Sequence, residues 1–175
     1  MTGAPLLVTE RFELWQPVAG DLADLFALTE QEETRRFLGG IAASMQNSFE
    51  RLGRNAGSWA LHGYGTFMVR LKGQRQIIGN CGVFRSWRGK PGLDDVPEAG
   101  WIIHPDHWGQ GVAGEAMRAA IGWFDASHSA QRIGCMIESG NAASELLAAA
   151  LGFVEYLRED EDADGRAVVL YERLR

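Results

Sequence analysis

The amino-acid sequence predicts an α/β fold, or more broadly an α+β fold, in one domain that covers residues 1–175. The length of the chain and its 46% of hydrophobic residues provide enough side chains for one sizeable core. Apolar segments of strand length alternate with segments whose apolar residues recur at helical spacing. The clearest example lies between Trp101 and Phe124, where an apolar strand, a glycine-containing turn and an amphipathic helix follow one another.

The N-terminal half is predicted to contain a strand, helices and a hairpin. Residues 11–16 form the strand, and Asp21 is a suitable N-cap for the helix that follows it. After a charged stretch, a helix over about residues 45–61 has an apolar face formed by Phe49, Leu52, Ala56 and Trp59. Residues 66–71 and 77–84 form the hairpin.

The C-terminal half begins with a polar, glycine-bearing loop at residues 85–97. A strand over residues 98–104 leads into the glycine turn. The helix after the turn, residues 112–128, has a core face formed by Val112, Ala116, Met117, Ala120, Ile121 and Phe124. The remaining elements are a strand, a helix and a last hairpin, at residues 132–138, 141–151, 153–157 and 167–174.

No metal site is predicted. His104 and His107 flank a Pro-Asp pair and lack further ligands at zinc spacing. The turn of the last hairpin is acidic, but it lacks the spacing of a calcium loop and is interpreted as solvated; its carboxylates belong to Glu159, Asp160, Glu161, Asp162 and Asp164.

Composition limits the partners and the location. The formal charge of −6 argues against nucleic acid and mildly favours attraction of an amine. The sequence has no apolar run of about 18 residues, so no membrane span is expected. Because no secretion signal is evident, and Cys81 and Cys135 are isolated within predicted strands, we expect a cytoplasmic location and no covalent acyl-cysteine intermediate.

The glycine turn has the features of an anion site. Gly109, Gly111 and Gly114 carry no Cβ, so a ligand can approach the backbone closely. The following helix directs its unpaired amides and the positive end of its dipole at that ligand. A phosphate or pyrophosphate group is therefore expected there.

Two nucleotide-binding interpretations of these glycines can be compared. The Walker A spacing is present, but Glu115 and Ala116 replace the Lys and Ser or Thr that the motif needs, so we reject it. The dinucleotide pattern G-x-G-x-x-G fits better, with Glu138 as a candidate ribose-binding acid. Residues 104–108 separate the strand from the first glycine, whereas the dinucleotide pattern follows its strand directly. Too few residues follow the glycines to form the remaining βα units, so an oxidoreductase is only the runner-up.

The third interpretation is coenzyme A. Residues 102–116, IIHPDHWGQGVAGEA, resemble the acetyl-CoA loop of the GNAT N-acetyltransferases, with Trp108 at a position where that family often has Gln or Arg. They are most similar to the branch that includes the ribosomal-protein alanine acetyltransferases. Residues 141–153 resemble the family's N-x-x-S-x(7)-G-F segment, and residues 9–17 and 63–69 resemble its first two strands.

The resemblance implies a fold and a reaction. The GNAT fold is a mixed, mostly antiparallel sheet of about seven strands with about four helices, in which two splayed parallel strands hold the cofactor. The reaction would transfer acetyl from acetyl-CoA to a primary amine, on a protein N-terminus or a small molecule, by direct attack. The cofactor would contact the backbone of Ile102, Ile103 and His104, the turn residues Gly109, Gln110, Gly111, Val112, Ala113 and Gly114, and Asn141 and Ser144.

The resemblance also suggests catalytic residues. Glu98 matches an E-x-G-Y/W pattern and is the candidate general base, although an exposed carboxylate at a strand start is the alternative. Asn141 is also a good helix N-cap, and the two roles are compatible. Ala148 stands where many family members have a general-acid tyrosine, so Ser144 is the remaining candidate acid.

The missing tyrosine leaves a second function open, a CoA-binding sensor domain without turnover. Residues 30–36 and the loop at 85–97, which carries Trp87, are expected to frame the acceptor pocket. The sequence does not choose among amine acceptors or acyl groups, and a homodimer remains possible.

Overall fold

An eight-stranded sheet forms the centre of the computed structural model, which describes residues 3–40, 42–160, 165 and 167–175. The strands, in chain order, are β1 (Leu7–Val8), β2 (Phe12–Trp15), β3 (Thr66–Leu71), β4 (Ile77–Phe84), β5 (Glu98–Ile103), β6 (Arg132–Glu138), β7 (Val154–Glu159) and β8 (Val168–Leu174). Their order across the sheet is β1-β2-β3-β4-β5-β6-β8-β7. All neighbours are antiparallel except β5 and β6.

Helices cover both faces of this sheet. In the described residues they are α1 (Leu22–Glu30), α2 (Glu32–Arg35), α3 (Met45–His62), α4 (Val112–Ser127) and α5 (Ala142–Ala150). Because side chains alternate across a strand, each face has its own core. α4 and α5 pack on the face that carries Phe67 and Ile103, whereas α1 and α3 pack on the face that carries Met68 and Ile102.

The parallel strands β5 and β6 pair only at their starts. Glu98 pairs with Gly134 and Ala99 with Cys135, after which the ladder ends although both strands continue. Each strand stays paired with its other neighbour, β4 or β8, along its length. The two strands therefore diverge and leave a gap in the sheet, which is the splayed arrangement that the resemblance implies.

The predicted elements are present, with two short additions. The predicted core face of α4 is confirmed, since all six of its apolar residues are buried. The additions are β1, which pairs with β2 at the edge of the sheet, and α2, which forms within the charged stretch after α1. Both are too short for the sequence to show a period. Of the acidic turn, Glu161, Asp162 and Asp164 lie outside the described residues.

Asp21 precedes α1 as predicted, but its side chain does not cap the helix. Its carboxylate accepts a hydrogen bond from the Val18 N–H at 2.8 Å and forms an ion pair with Arg70 at 2.6 Å. Both charged side chains are buried, so this pair joins the start of α1 to the end of β3.

The predicted apolar face of α3 is partly wrong, because Phe49 is 65% exposed. The buried side instead carries polar groups. Asn55 accepts a hydrogen bond from the Thr66 N–H at 2.8 Å and donates to the Thr66 carbonyl at 2.9 Å. Ser58 Oγ donates to the Tyr64 carbonyl at 2.7 Å. The buried backbone N–H and carbonyl groups at the start of β3 require hydrogen-bond partners, and Asn55 and Ser58 provide them. This requirement decides which side of α3 faces the sheet.

None of the helices in the described residues is both long and apolar enough to cross a membrane.

Candidate active site

A cleft of about 1180 Å³ opens at the gap between β5 and β6 and extends to the N-terminal helices. One end is lined by β5, β6 and the turn before α4. The other end is lined by residues from 33–39, from α3 and from the loop after β4. Residues of both segments expected to frame an acceptor pocket therefore lie along the same cleft as the glycine turn.

The turn before α4 presents free backbone amides to this cleft. Gly109 and Gly111 have φ angles of +70° and +74°, a conformation that glycine adopts without a steric penalty. The Glu115 N–H donates to the Gly111 carbonyl at 3.0 Å and so begins the bonding of the helix. The amides before it have no acceptor within α4 and belong to Val112, Ala113 and Gly114, which all line the cleft. Gly111, the N-cap, has no side chain to occupy them, so the site suits an anion.

Glu115 and Arg11 hold this turn in place. The Glu115 carboxylate accepts hydrogen bonds from Thr9 Oγ1 at 2.6 Å, from the Arg11 N–H at 3.0 Å and from Arg11 Nε at 2.7 Å. Arg11 Nη1 also donates to the Gln110 carbonyl at 2.8 Å. Burial raises the pKa of Glu115, but the hydrogen bonds from Thr9 and Arg11 outweigh it and hold that pKa below its ordinary value. The first turn of α4 is thereby fixed to the turn between β1 and β2.

Two of the predicted cofactor contacts lie away from the cleft. The Gln110 side chain donates to the Asp106 carbonyl at 2.8 Å, and the backbone carbonyl of Gln110 accepts a hydrogen bond from Arg11. The His104 N–H donates to the Ile78 carbonyl at 2.9 Å, so this amide completes the β4–β5 ladder. Neither Gln110 nor His104 is part of the cleft lining.

The alternation of hydrogen bonds along β5 decides which backbone groups face the gap. Because His104 bonds to Ile78, the next bonded pair in the antiparallel ladder is Ile102 with Asn80. The backbone of Ile102 therefore points to β4, and that of Trp101 and Ile103 points to β6. The Ile103 carbonyl accepts a hydrogen bond from Trp108 Nε1 at 2.7 Å. The Trp101 backbone and the Ile103 N–H remain as the groups aimed at the gap, and Trp101 is not among the residues predicted from the sequence.

Asn141 and Ser144 lie on the opposite wall. Asn141 caps α5, with Oδ1 accepting the Ser144 N–H at 3.2 Å. The Ser144 hydroxyl accepts a hydrogen bond from Trp101 Nε1 at 3.2 Å across the gap. This contact leaves the hydroxyl proton of Ser144 free to donate. Both residues line the cleft.

Glu98 lies where β5 and β6 still pair, and it is buried rather than exposed. Arg88 contacts both carboxylate oxygens, with Nε 2.9 Å from Oε2 and Nη2 2.8 Å from Oε1. Ser86 also donates to Oε2. Since a carboxylate can accept about four hydrogen bonds, Oε1 retains an acceptor position. Glu98 therefore lines the cleft and also anchors the loop that carries Ser86 and Arg88.

That loop forms part of the cleft wall. The Arg88 N–H donates to Asp94 at 2.6 Å, and Lys90 pairs with Glu159 of β7. Trp87 lines the cleft but is 79% exposed at its mouth.

Arg118 is a cleft residue that the sequence analysis missed. It lies one turn after Gly114 on α4, and a Cβ at Gly114 would be 3.3 Å from Arg118 Nη1. The absence of a side chain at Gly114 therefore lets this guanidinium lie close to the anion turn. The four-residue spacing between Gly114 and Arg118 places both on the same side of α4, and this spacing could have identified Arg118 from the sequence.

Neither cysteine is suited to carry an acyl group. Burial raises the pKa of the Cys81 thiol to about 12, and burial followed by the charge of Glu98 raises the pKa of Cys135. Within the described ranges, no group of three or more potential metal ligands is present.

Comparisons with known proteins agree with this geometry. The family model described as "Acetyltransferase (GNAT) domain" matches residues 11–154. An uncharacterized N-acetyltransferase, p20, of Bacillus licheniformis is 31% identical over 107 residues, which are 60% of this chain and 58% of that protein. The match thus spans less than two thirds of the length of that curated relative.

Solved structures extend the likeness over nearly the whole chain. A putative GNAT-family acetyltransferase from Bordetella pertussis is 31% identical, with 95% of this chain and 98% of that chain covered and a TM-score of 0.83. The fold is shared at 14% identity by the acetyltransferase that modifies the N-terminal serine of ribosomal protein L7/L12 from Salmonella typhimurium, with 97% and 98% covered and a TM-score of 0.79. Another structure of this kind of enzyme, RimL, contains coenzyme A, at 15% identity, 97% coverage of each chain and a TM-score of 0.78.

The match to the family model covers most of the chain, and the sheet has the splayed parallel strands that the family uses. The chain therefore belongs to the GNAT acetyltransferase family.

Proposed function

We propose that this cleft transfers an acetyl group from acetyl-CoA to the primary amine of a protein N-terminus or a small molecule. Family membership supports the reaction class and the acyl donor. The observation that carries the assignment to this cleft is the position of the uncapped amides of α4 at one end of the gap between β5 and β6. A diphosphate and an extended acyl-carrying arm would need these two features side by side.

The proposed cofactor site uses backbone groups for most of its contacts. The diphosphate binds the amides of Val112, Ala113 and Gly114, with Arg118 as a nearby positive charge. The arm that carries the thioester lies in the gap and bonds to the backbone of Trp101 and to the Ile103 N–H. Asn141 and Ser144 contact it from α5.

The proposed reaction is direct attack. The amine nitrogen attacks the thioester carbonyl carbon, a C–N bond forms, and the C–S bond breaks. The amine loses a proton to a base, and the departing thiolate takes up a proton. The free hydroxyl proton of Ser144 supports a hydrogen bond to that sulfur.

Glu98 is the proposed general base, acting through a water on Oε1. A lysine-like amine with a pKa near 10.4 is neutral only about one time in a thousand at pH 7, so a base is needed to remove its proton. The hydrogen bonds from Arg88 to both carboxylate oxygens support a competing role, in which Glu98 only anchors the loop after β4. The two roles predict different pH profiles.

Release of the CoA thiol with a panel of amines tests the function, and calorimetry with acetyl-CoA tests the site. Acetyl-CoA binding with no acceptor-dependent thiol would identify a sensor domain, and protection by NAD instead of CoA would identify an oxidoreductase.

Two variants separate the roles of Glu98. Glu98→Gln should depress turnover most at lower pH and leave acetyl-CoA affinity nearly unchanged, because the proton acceptor is removed. The same change also breaks the ion pair with Arg88. Arg88→Gln is the matched control and should lower turnover by a similar factor at every pH. An equal loss of turnover and cofactor affinity in Glu98→Gln would argue against the base.

A further inference from the structure

We propose that the amine acceptor also carries an anionic group, a phosphate or a carboxylate, which binds between Arg51 and Arg54 of α3. This inference rests on the proposed acetyl transfer and concerns the choice of acceptor.

The position of the two arginines brings them to the acceptor end of the cleft. They are three residues apart in α3, so their side chains leave the same side of the helix. Both line the large cleft, and both also line a smaller cavity of about 170 Å³. They therefore stand where the two spaces meet.

Two other cations near this end are already paired, whereas Arg51 and Arg54 are not. Arg85 also lines the cleft and forms no ion pair in the described part of the chain. Arg88 pairs with Glu98, and Lys90 pairs with Glu159. Among the residues that the structure describes, Arg51 and Arg54 form no ion pair. Their positive charges are therefore available to a ligand.

The electrostatics of Arg51 indicate that positive charge is concentrated here. Burial, together with the nearby guanidinium groups of Arg54 and Arg88, lowers the pKa of Arg51 to about 10. The residue is still charged at pH 7, and an anion between it and Arg54 would relieve the repulsion.

Arg35 adds an independent observation. It lines the smaller cavity with Arg51 and Arg54, and its Nε is buried with no hydrogen-bond partner in the described part of the chain. A buried donor without a partner carries a free-energy cost that an anionic oxygen in the cavity could remove.

The nearby carboxylates do not cancel this charge. Glu33 lines the cleft and Glu50 lines the smaller cavity, and in the described part of the chain neither forms an ion pair with Arg51 or Arg54. Glu50 is also hydrogen-bonded by Gln46 at 3.1 Å. This end of the cleft is thus basic although the whole chain has a formal charge of −6. A polyamine would be repelled, whereas an amine with an anionic arm would be attracted.

The test measures kcat/KM for matched amines with acetyl-CoA as donor. The first pair is 2-aminoethyl phosphate and 2-aminoethanol, and the second is β-alanine and 3-aminopropanamide. We expect the anionic member of at least one pair to be favoured by at least about tenfold, and the pair that shows the preference identifies phosphate or carboxylate.

The variants are Arg54→Gln and the double variant of Arg51→Gln with Arg54→Gln, and Arg75→Gln is the matched control. Arg75 is exposed and lines neither space. The cleft variants should lose the preference and keep their rates with neutral amines and their affinity for acetyl-CoA, whereas the control should keep the preference. Equal rates within both pairs, or a preference that survives in the double variant, would overturn the inference.

A second readout separates this inference from the proposed function. If no amine is acetylated, the proposed function fails, and calorimetric titration of 2-aminoethyl phosphate into the CoA complex decides the inference. Binding that the double variant weakens at least about tenfold would support the anion site. Absence of binding, or equal binding to both proteins, would refute it.

Discussion

Removal of the charge of Glu115 should loosen the turn that is proposed to bind the diphosphate. In Glu115→Gln the carboxamide keeps one acceptor oxygen, but its NH₂ group faces Arg11 Nε, which is a donor. The ion pair at 2.7 Å is lost, and the bonds from Thr9 and the Arg11 N–H must share the remaining oxygen.

The expected loss follows from the exposure of the pair. A hydrogen bond to a charged group contributes about 1.5–3 kcal/mol at best. Because the Arg11 side chain is 44% exposed, the ion pair is screened and its share falls to about 0.2–1 kcal/mol. We expect Glu115→Gln to lower the free energy of unfolding by about 1–2 kcal/mol, which corresponds to a fall in Tm of roughly 2–8 °C.

The pH dependence gives this prediction a direction. The pKa of Glu115 is lowered in the folded protein, so its stabilising contribution is present above the unfolded pKa and is lost as the pH falls through the folded value. The stability difference between wild type and Glu115→Gln should therefore shrink as the pH falls below about 4.3.

Thermal and urea unfolding between pH 7 and pH 3 measure the effect. Glu155→Gln is the matched control, since Glu155 forms an exposed pair with Arg158 at 2.8 Å and should contribute little. If Glu115→Gln costs no more than Glu155→Gln at pH 7, or if its cost does not change with pH, the turn is not held by this ion pair.

Three other variants or reagents test the site. Gly111→Ala should weaken acetyl-CoA binding by roughly tenfold in calorimetry. The φ of +74° strains a non-glycine residue by about 1–2 kcal/mol, so the free turn relaxes and binding must restore the strained conformation. Gly122→Ala, in open space on the same helix, should leave binding unchanged. Trp101→Phe should lower the free energy of urea unfolding by about 1 kcal/mol, since it removes the indole hydrogen bond to α5; no change would mean that this bond is not formed. Cys81 and Cys135 should resist a disulfide reagent at pH 8 and react only after unfolding, because burial keeps both thiols protonated; rapid reaction of the native protein would contradict their burial.

The sequence by itself determined the features that depend on neighbouring residues. The turn before α4 was predictable because Gly109 and Gly111 can adopt the positive φ angles that it requires. The helix was predictable because its apolar residues recur at helical spacing within one segment of the chain. The cap of α5 by Asn141 was predictable for the same reason, since donor and acceptor are three residues apart.

Only the tertiary structure decided the features that join distant segments. The polar buried side of α3 depends on the backbone hydrogen bonds that β3 needs. The groups that face the gap between β5 and β6 depend on the β4–β5 register, so the backbone of Trp101 faces it and that of Ile102 does not. Glu98 was recognisable by its place at the start of β5, but its partner Arg88 comes from a loop with no regular period. Hydrogen bonds and charges act through space, so a pattern along the chain cannot show which distant groups they will join.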